Sequence, residues 1–271
     1  MRLVSAMLVG LLGACTATEA ERVEAPSPAP KSSERTERIE LAFELARITR
    51  EEDASAERLD EAVRSGAASR IDECRREYRE TITRSDELAR LVFTPEYVAS
   101  RPWIDLLGPE QAPNWNAASL EGFAWRIEDG VLKLHGPDSG TQQCGVVSIC
   151  DREQLRDFVL DFEFTLAQGE FELCSRVGLR FDGTVESLKF STLEDSQDAS
   201  FLLPRGETFG GTWSFIGSSW TGGLSAGDPQ TLEQVKWSQS RKGGIGIIVP
   251  PATELTFTRL RVKSLRQSGP N

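Results

Sequence analysis

The clearest pattern in this chain is an alternation of apolar and polar positions through its second half. Every second residue from Phe158 to Phe164 is phenylalanine or leucine, and the positions between them include Asp161 and Glu163. Such alternation places the apolar side chains on one face of a β-strand and the charges on the other. About nine or ten similar runs, separated by glycine, proline and aspartate, lie between 93 and 267. They predict a mainly β fold, a two-sheet jelly-roll sandwich.

A different pattern occupies residues 34–92. This segment has one glycine, no proline, and arginines that alternate with glutamates or aspartates at helical spacings. It predicts charged α-helices with a break at 64–69 and a new N-cap at Ser85. A thin apolar stripe runs along the segment through Ile39, Phe43, Ala46, Ile71, Cys74, Tyr78 and Ile82.

The stripe allows two interpretations of the helical segment. A helical hairpin or coiled coil would use it to bind a protein partner. A solvated stalk would instead be held by ion pairs within each helix. Because the stripe is interrupted and no clean heptad persists, the pattern favours the stalk.

The first residues have the pattern of an export leader. Arg2 precedes an apolar run at 3–12, which is too short to span a bilayer, and Gly13 and Ala14 precede Cys15. This arrangement resembles a bacterial lipobox, which implies that Cys15 carries the lipid and that residues 1–14 are removed. An ordinary secretory leader with an incidental cysteine is the alternative. The lipobox interpretation predicts a lipid-anchored protein of the cell envelope, at the outer membrane or on the periplasmic side.

The composition of the chain limits the kinds of partner that it could bind. Residues 15–33 are rich in proline and poor in apolar residues, which predicts a disordered, flexible tether. No other long apolar run occurs, so the lipid would be the only attachment to a membrane. A net charge of -11 argues against nucleic-acid binding. His135 is the single histidine, which argues against a histidine-built zinc site or catalytic triad, and no metal or cofactor is predicted.

Four cysteines besides Cys15 leave the disulfide pattern open: Cys74, Cys144, Cys150 and Cys174. If the run between Cys144 and Cys150 is extended, those two lie roughly 20 Å apart and cannot pair. Cys150 with Cys174 is the first pairing to test.

Five landmarks follow one another along the chain: 103–108, 114–115, 125–132, 157–164, and finally 243–247 with 255–263. In this order and at these approximate spacings, residues 93–265 resemble the 3-keto-disaccharide hydrolase domain. That resemblance implies a concanavalin-like sandwich whose concave sheet receives a sugar, and hydrolysis of glycosides oxidised at C3. The middle of the chain, at 166–170 and 185–189, departs from the family pattern, so the domain would bind saccharides with or without cutting them.

Acidic positions of the alternating runs are the candidates for catalysis. Glycoside hydrolysis needs two carboxyl groups about 5 to 9.5 Å apart. Glu163 and Glu172 are the predicted catalytic pair, on the condition that the run containing Glu172 is the hairpin neighbour of the first. Asp161, Arg176 and Arg180 would then bind substrate from the same face. The alternative is an ordinary solvated sheet face with cross-strand ion pairs.

Two tryptophans supply a candidate sugar platform. Trp213 and Trp220 lie in a stretch rich in serine, threonine and glycine, a composition suited to stacking on a sugar ring. Either residue could equally belong to the core. Three functions therefore stay open: glycoside hydrolysis, saccharide binding without catalysis, and a structural or interaction role through the helical segment.

Overall fold

The computed structural model describes residues 32–118, 122–139, 144–148, 155–177, 186–193, 196, 199–224, 230–233 and 243–266. The leader, Cys15 and most of the predicted tether fall outside these ranges, as do Cys150 and Arg180. None of the helices in the described residues is long and apolar enough to cross a membrane.

Three helices precede the β-structure: α1 (Ser32–Ser65), α2 (Ala68–Val92) and α3 (Pro95–Ser100). The predicted break between the first two is confirmed, and Gly66 there has a φ of 70°, which glycine adopts without a steric penalty. The predicted N-cap at Ser85 is wrong, because α2 continues through this position. Ser85 is instead buried, and its hydroxyl accepts a hydrogen bond from Arg266.

Helices α1 and α2 pack against each other as a hairpin. Leu59 and Ala62 of α1 meet Cys74, Tyr78 and Ile82 of α2 in one buried cluster. Only the α2 half of the predicted stripe lies in this contact, because Ile39 and Phe43 are 48% and 73% exposed. The protein partner predicted for the helical segment stays a prediction.

The rest of the described chain forms fourteen strands in two sheets. The first sheet has eight strands in the order β12-β11-β10-β6-β14-β4-β3, with β1 also beside β14, and the second has six in the order β2-β5-β13-β7-β8-β9. The strands are β1 (Ile104–Asp105), β2 (Trp115–Ala118), β3 (Ala124–Glu128), β4 (Val131–His135), β5 (Cys144–Ser148), β6 (Phe158–Gln168), β7 (Glu170–Val177), β8 (Glu186–Ser191), β9 (Phe201–Leu202), β10 (Thr208–Ile216), β11 (Ser219–Leu224), β12 (Gln230–Glu233), β13 (Gly244–Val249) and β14 (Glu254–Ser264).

The core lies between the two sheets, where apolar side chains from both inner faces interdigitate. Phe162 and Phe164 from the first sheet pack on Phe190 from the second, with ring centroids 6.2 and 5.2 Å from that ring. The predicted fold class, a β-sandwich preceded by a charged helical segment, is confirmed, and so is the inward face of β6.

The helical hairpin docks on the first sheet rather than standing free. Leu45 of α1 and Ala89 of α2 are buried against Val159, which points outward from β6. The interpretation of the segment as a solvated stalk is therefore wrong. Polar groups join the same contact: the Asp86 carboxylate accepts hydrogen bonds from the backbone N–H and the hydroxyl of Ser218.

A buried ionic cluster completes the contact between hairpin and sandwich. Arg156 Nη1 lies 2.7 Å from Oε1 of Glu52 on α1. Arg266 pairs with Asp157, which is fully buried, and its Nη1 lies 3.9 Å from Glu52 Oε2. Glu52 is 1% exposed. Glu52 lies on the buried face of α1, between Ile48 and Leu59, and faces these arginines of the sandwich.

Two of the cysteines are buried free thiols, Cys74 and Cys174. Burial raises the pKa of Cys174, with a further contribution from Glu172 nearby. Cys150, its suggested disulfide partner, lies outside the described residues.

Candidate functional site

The outward face of the first sheet brings charged and polar side chains from three adjacent strands together. In the strand register, Asp161 of β6 lies between Thr212 of β10 and Arg261 of β14. Two residues further along β6, Glu163 lies opposite Arg259 of β14. These five residues are called the arginine–carboxylate patch below.

Asp161 is the centre of the arginine–carboxylate patch. Arg261 Nε donates to its Oδ2 at 2.6 Å, and Arg259 Nε lies 2.9 Å from the same oxygen. The Thr212 hydroxyl donates to Oδ1 at 3.1 Å. The Asp161 side chain is 9% exposed, whereas those of Arg259 and Arg261 are 39% and 41% exposed. Asp161 is thus a nearly buried acceptor that fixes the orientation of two half-exposed guanidinium groups.

Glu163 extends the patch along β6. Its Oε1 accepts a hydrogen bond from the Thr258 hydroxyl at 2.7 Å, and its Oε2 accepts from Arg259 Nη1 at 3.2 Å. The pairing of β14 with β6 shifts register between Phe257 and Arg259. Such a bulge re-aims side chains, and here Thr258 and Arg259 both contact Glu163.

A partly buried tryptophan, Trp103, borders the patch. The guanidinium carbon of Arg261 lies 4.6 Å from the Trp103 ring centroid, and Lys263 Nζ lies 4.8 Å from it. Lys263 also donates to the carbonyl oxygens of Val98 and Ala99 in α3. The stacked ring stabilises Arg261 in place, because a cation over an indole face is attracted by its π electrons.

The predicted catalytic pair is not brought together. Glu163 points outward from the first sheet, whereas Glu172 lies on β7 in the second sheet. Its neighbours Phe171 and Leu173 point into the core, so Glu172 points away from it. Packed sheets lie about 10 Å apart at their backbones, and outward side chains diverge further. The predicted grouping of Glu172 and Arg176 across from Asp161 and Glu163 is therefore wrong.

Glu163 and Glu172 lie on different sheets because the connection between β6 and β7 is not a hairpin turn. Gly169, with a φ of 84°, carries the chain from one sheet to the other rather than into a hairpin. A Cβ at this position would lie 2.6 Å from Thr253 Oγ1, so the close approach needs glycine. Glu172 instead accepts a hydrogen bond from the Ser187 hydroxyl at 2.7 Å.

Arg176 has a structural role away from the patch. It is 6% exposed, and it donates to the carbonyl oxygens of Arg156 and Gly217 at 2.9 and 2.7 Å. Substrate binding through its guanidinium, as predicted, would require breaking these buried bonds. Arg180 lies outside the described residues.

Trp213 and Trp220 are core residues. Both are 0% exposed, and Trp220 packs edge-on against Phe215 with ring centroids 4.6 Å apart. Gly222 lies opposite Trp213, where a Cβ would come within 2.7 Å of the indole. The hypothesis that either ring forms an exposed sugar platform is wrong, because neither ring has a face open to solvent.

Arg259, Arg261 and Thr212 are the patch residues that the sequence analysis missed. The sequence does alternate through 260–263, as Leu-Arg-Val-Lys, which signals outward positions for Arg261 and Lys263. The bulge at Thr258 breaks that alternation before Arg259. Within the described ranges, no group of three or more histidine, cysteine, aspartate or glutamate side chains could hold a metal ion.

No protein-family model and no curated protein matches this sequence. Solved structures match in fold over parts of the chain, with TM-scores below 0.5. A protein described as a glycosyl hydrolase from Parabacteroides distasonis ATCC 8503 is 15% identical, with a TM-score of 0.45 over 65% of this chain and 99% of that one. The carbohydrate binding module CBM66 from Bacillus subtilis is 10% identical, with a TM-score of 0.41 over 56% and 96%. At these values the matches do not assign a function.

Proposed function

We propose that this protein binds a saccharide on the arginine–carboxylate patch. The observation that carries the proposal is the fixed pair of half-exposed arginines around Asp161. Saccharide recognition needs hydrogen-bond donors and acceptors at fixed positions, and guanidinium groups supply planar forks of donors. Glu163 and Thr212 add acceptor oxygens, and Trp103 adds apolar surface at the border.

The same geometry favours binding over hydrolysis. A glycosidase needs one carboxyl group that carries a proton and a second that is ionised, on either side of the bond to be cut. Here Asp161 and Glu163 both form ion pairs with Arg259. The two carboxylates therefore belong to one row of ion pairs and do not lie on either side of a ligand. Glu172 is on the other sheet. We therefore expect no turnover of 3-keto-glycosides, the reaction that the sequence resemblance implies.

Truncating Arg261 should weaken saccharide binding. Arg261→Ala removes the guanidinium that contacts both Asp161 and Trp103, and the loss of charge-assisted hydrogen bonds to a ligand costs about 1.5 to 3 kcal/mol, or roughly tenfold to a hundredfold in Kd. Titration calorimetry with a saccharide selected from a broad glycan panel measures the change.

Lys189→Ala is the matched control, because Lys189 points outward from the second sheet, beside Glu172 in the register. Its ammonium pairs with Glu170 at 3.1 Å, away from the patch. Binding that survives Arg261→Ala but is lost in Lys189→Ala would contradict the proposed location. A glycan panel without any binding would contradict the proposed function.

The cell-envelope location is a separate proposal that rests on the leader sequence. Cys15→Ser should abolish incorporation of labelled fatty acid, because the thiol that accepts the lipid is removed. Cys74→Ser is the control, since Cys74 is buried between α1 and α2. This substitution should leave the labelling unchanged. Labelling of the Cys15→Ser protein at the level of the parent would contradict the lipobox interpretation.

A further inference from the structure

The donors of the arginine–carboxylate patch are only partly used inside the protein. Arg261 donates to Asp161 through Nε, and no described residue accepts a hydrogen bond from either of its terminal nitrogens. Arg259 contacts Glu163 through Nη1 and Asp161 through Nε, and no described residue accepts from its Nη2. Both side chains are about two-fifths exposed, at 39% and 41%. The patch therefore presents guanidinium N–H groups to solvent in a fixed orientation.

A third cation lies on the face of β14 that carries Arg259 and Arg261. Lys263 is that cation, and it donates to the backbone carbonyls of Val98 and Ala99 rather than to a carboxylate. The nearby acids besides Asp161 and Glu163 include Asp105, which lies beside Arg261 in the register. Arg259, Arg261 and Lys263 thus lie together on one face of β14, on a chain whose net charge is -11.

We propose that the saccharide bound by this patch carries an anionic substituent, a carboxylate or a sulfate group. This inference rests on the proposed function and names the class of its ligand. Guanidinium groups match both anions through two parallel hydrogen bonds. The terminal nitrogens of Arg261 make that fork, Trp103 stacks on the guanidinium, and Asp161 fixes its orientation. A neutral sugar would use the hydroxyls of Thr212 and Thr258 but would leave the fork without an anionic partner.

Matched ligands test the inference directly. Oligogalacturonate and its fully methyl-esterified form share a backbone and differ in charge, and sulfated and unsulfated cellodextrins make the corresponding pair for sulfate. We expect at least tenfold tighter binding of the anionic member in one of the two pairs by titration calorimetry. The pair that shows the preference identifies the anionic group.

Variants test whether the patch causes the preference. Arg261→Gln keeps polar contacts but loses the charge and the fork, so the anionic preference should fall to less than threefold. Arg261→Lys keeps the charge without the fork, and the preference should be intermediate. Lys189→Gln on the second sheet should leave it unchanged. Far-UV circular dichroism and the thermal unfolding midpoint establish that each variant is folded.

The outcomes separate this inference from the proposed function. Equal affinity for the charged and neutral members of both pairs would overturn the anionic-ligand inference and leave saccharide binding intact. An anionic preference that Arg261→Gln does not change would also overturn it, because the preference would then arise elsewhere. No binding across neutral and acidic glycans would instead overturn the proposed function.

Discussion

Replacing Arg266 with leucine is expected to lower the free energy of unfolding by about 3 to 5 kcal/mol, the cost of breaking a buried ion pair. The Arg266 side chain is 7% exposed and pairs with Asp157, which is fully buried. It also donates to the hydroxyls of Thr49 on α1 and Ser85 on α2. The substitution would leave Asp157 charged and buried without its guanidinium partner.

Urea denaturation followed by circular dichroism measures this effect. Arg75→Leu is the control, because Arg75 Nη1 lies 3.7 Å from Asp72 Oδ1 in an ion pair that is mostly exposed. Such pairs contribute about 0 to 1 kcal/mol to the free energy of unfolding. Equal losses in the two variants would contradict the docking of the helical hairpin through a buried ionic cluster.

Truncating Phe162 to alanine is expected to cost about 3 to 5 kcal/mol, because it opens a cavity at the centre of the sandwich. Phe162 is 0% exposed and its ring lies 6.0 Å from that of Phe164 and 6.2 Å from that of Phe190 on the opposite sheet. Neighbouring rings that are themselves packed leave little freedom to fill the space.

Thr165→Ala is the matched control on the same strand. Thr165 points outward, and its hydroxyl contacts that of Thr208 at 2.9 Å in an exposed pair. Surface substitutions of this kind change stability by about 0.5 kcal/mol or less. Chemical denaturation of both variants tests the register of β6, and comparable losses would show that the register is wrong.

The sequence predicted local structure where one physical rule dominated. The alternation in β6 gave its inward face, since a strand half buried in a sandwich must segregate apolar from polar positions. The glycine-containing break at 64–69 likewise marked the end of α1. In both cases, the pattern within about ten residues was sufficient.

Long-range contacts were not predictable in this way. Nothing near Glu52 in the sequence indicated that it is buried, because its arginine partners lie more than a hundred residues away. Trp213 and Trp220 sit among serine, threonine and glycine, yet the opposite glycine makes room for a buried ring. The crossover from β6 to β7 passes through Gly169, and its close approach to Thr253 is also a long-range contact.

The candidate site was predicted in part. Asp161 and Glu163 were identified, and the alternative of cross-strand ion pairs describes their contacts correctly. Their partners Arg259 and Arg261 come from a strand about a hundred residues later, as the residue numbers show. The bulge that aims Arg259 at Glu163 shows in the local pattern only as two successive polar residues, Thr258 and Arg259, between Phe257 and Leu260.

Mapping the amide chemical shifts of the protein during a saccharide titration is the most direct test of the central claim. We expect shift changes concentrated on the neighbouring strands β10, β6 and β14, at Thr212, Asp161, Glu163, Arg259 and Arg261. Changes concentrated at Glu172 and Lys189 on the second sheet, with the arginine–carboxylate patch unaffected, would contradict it.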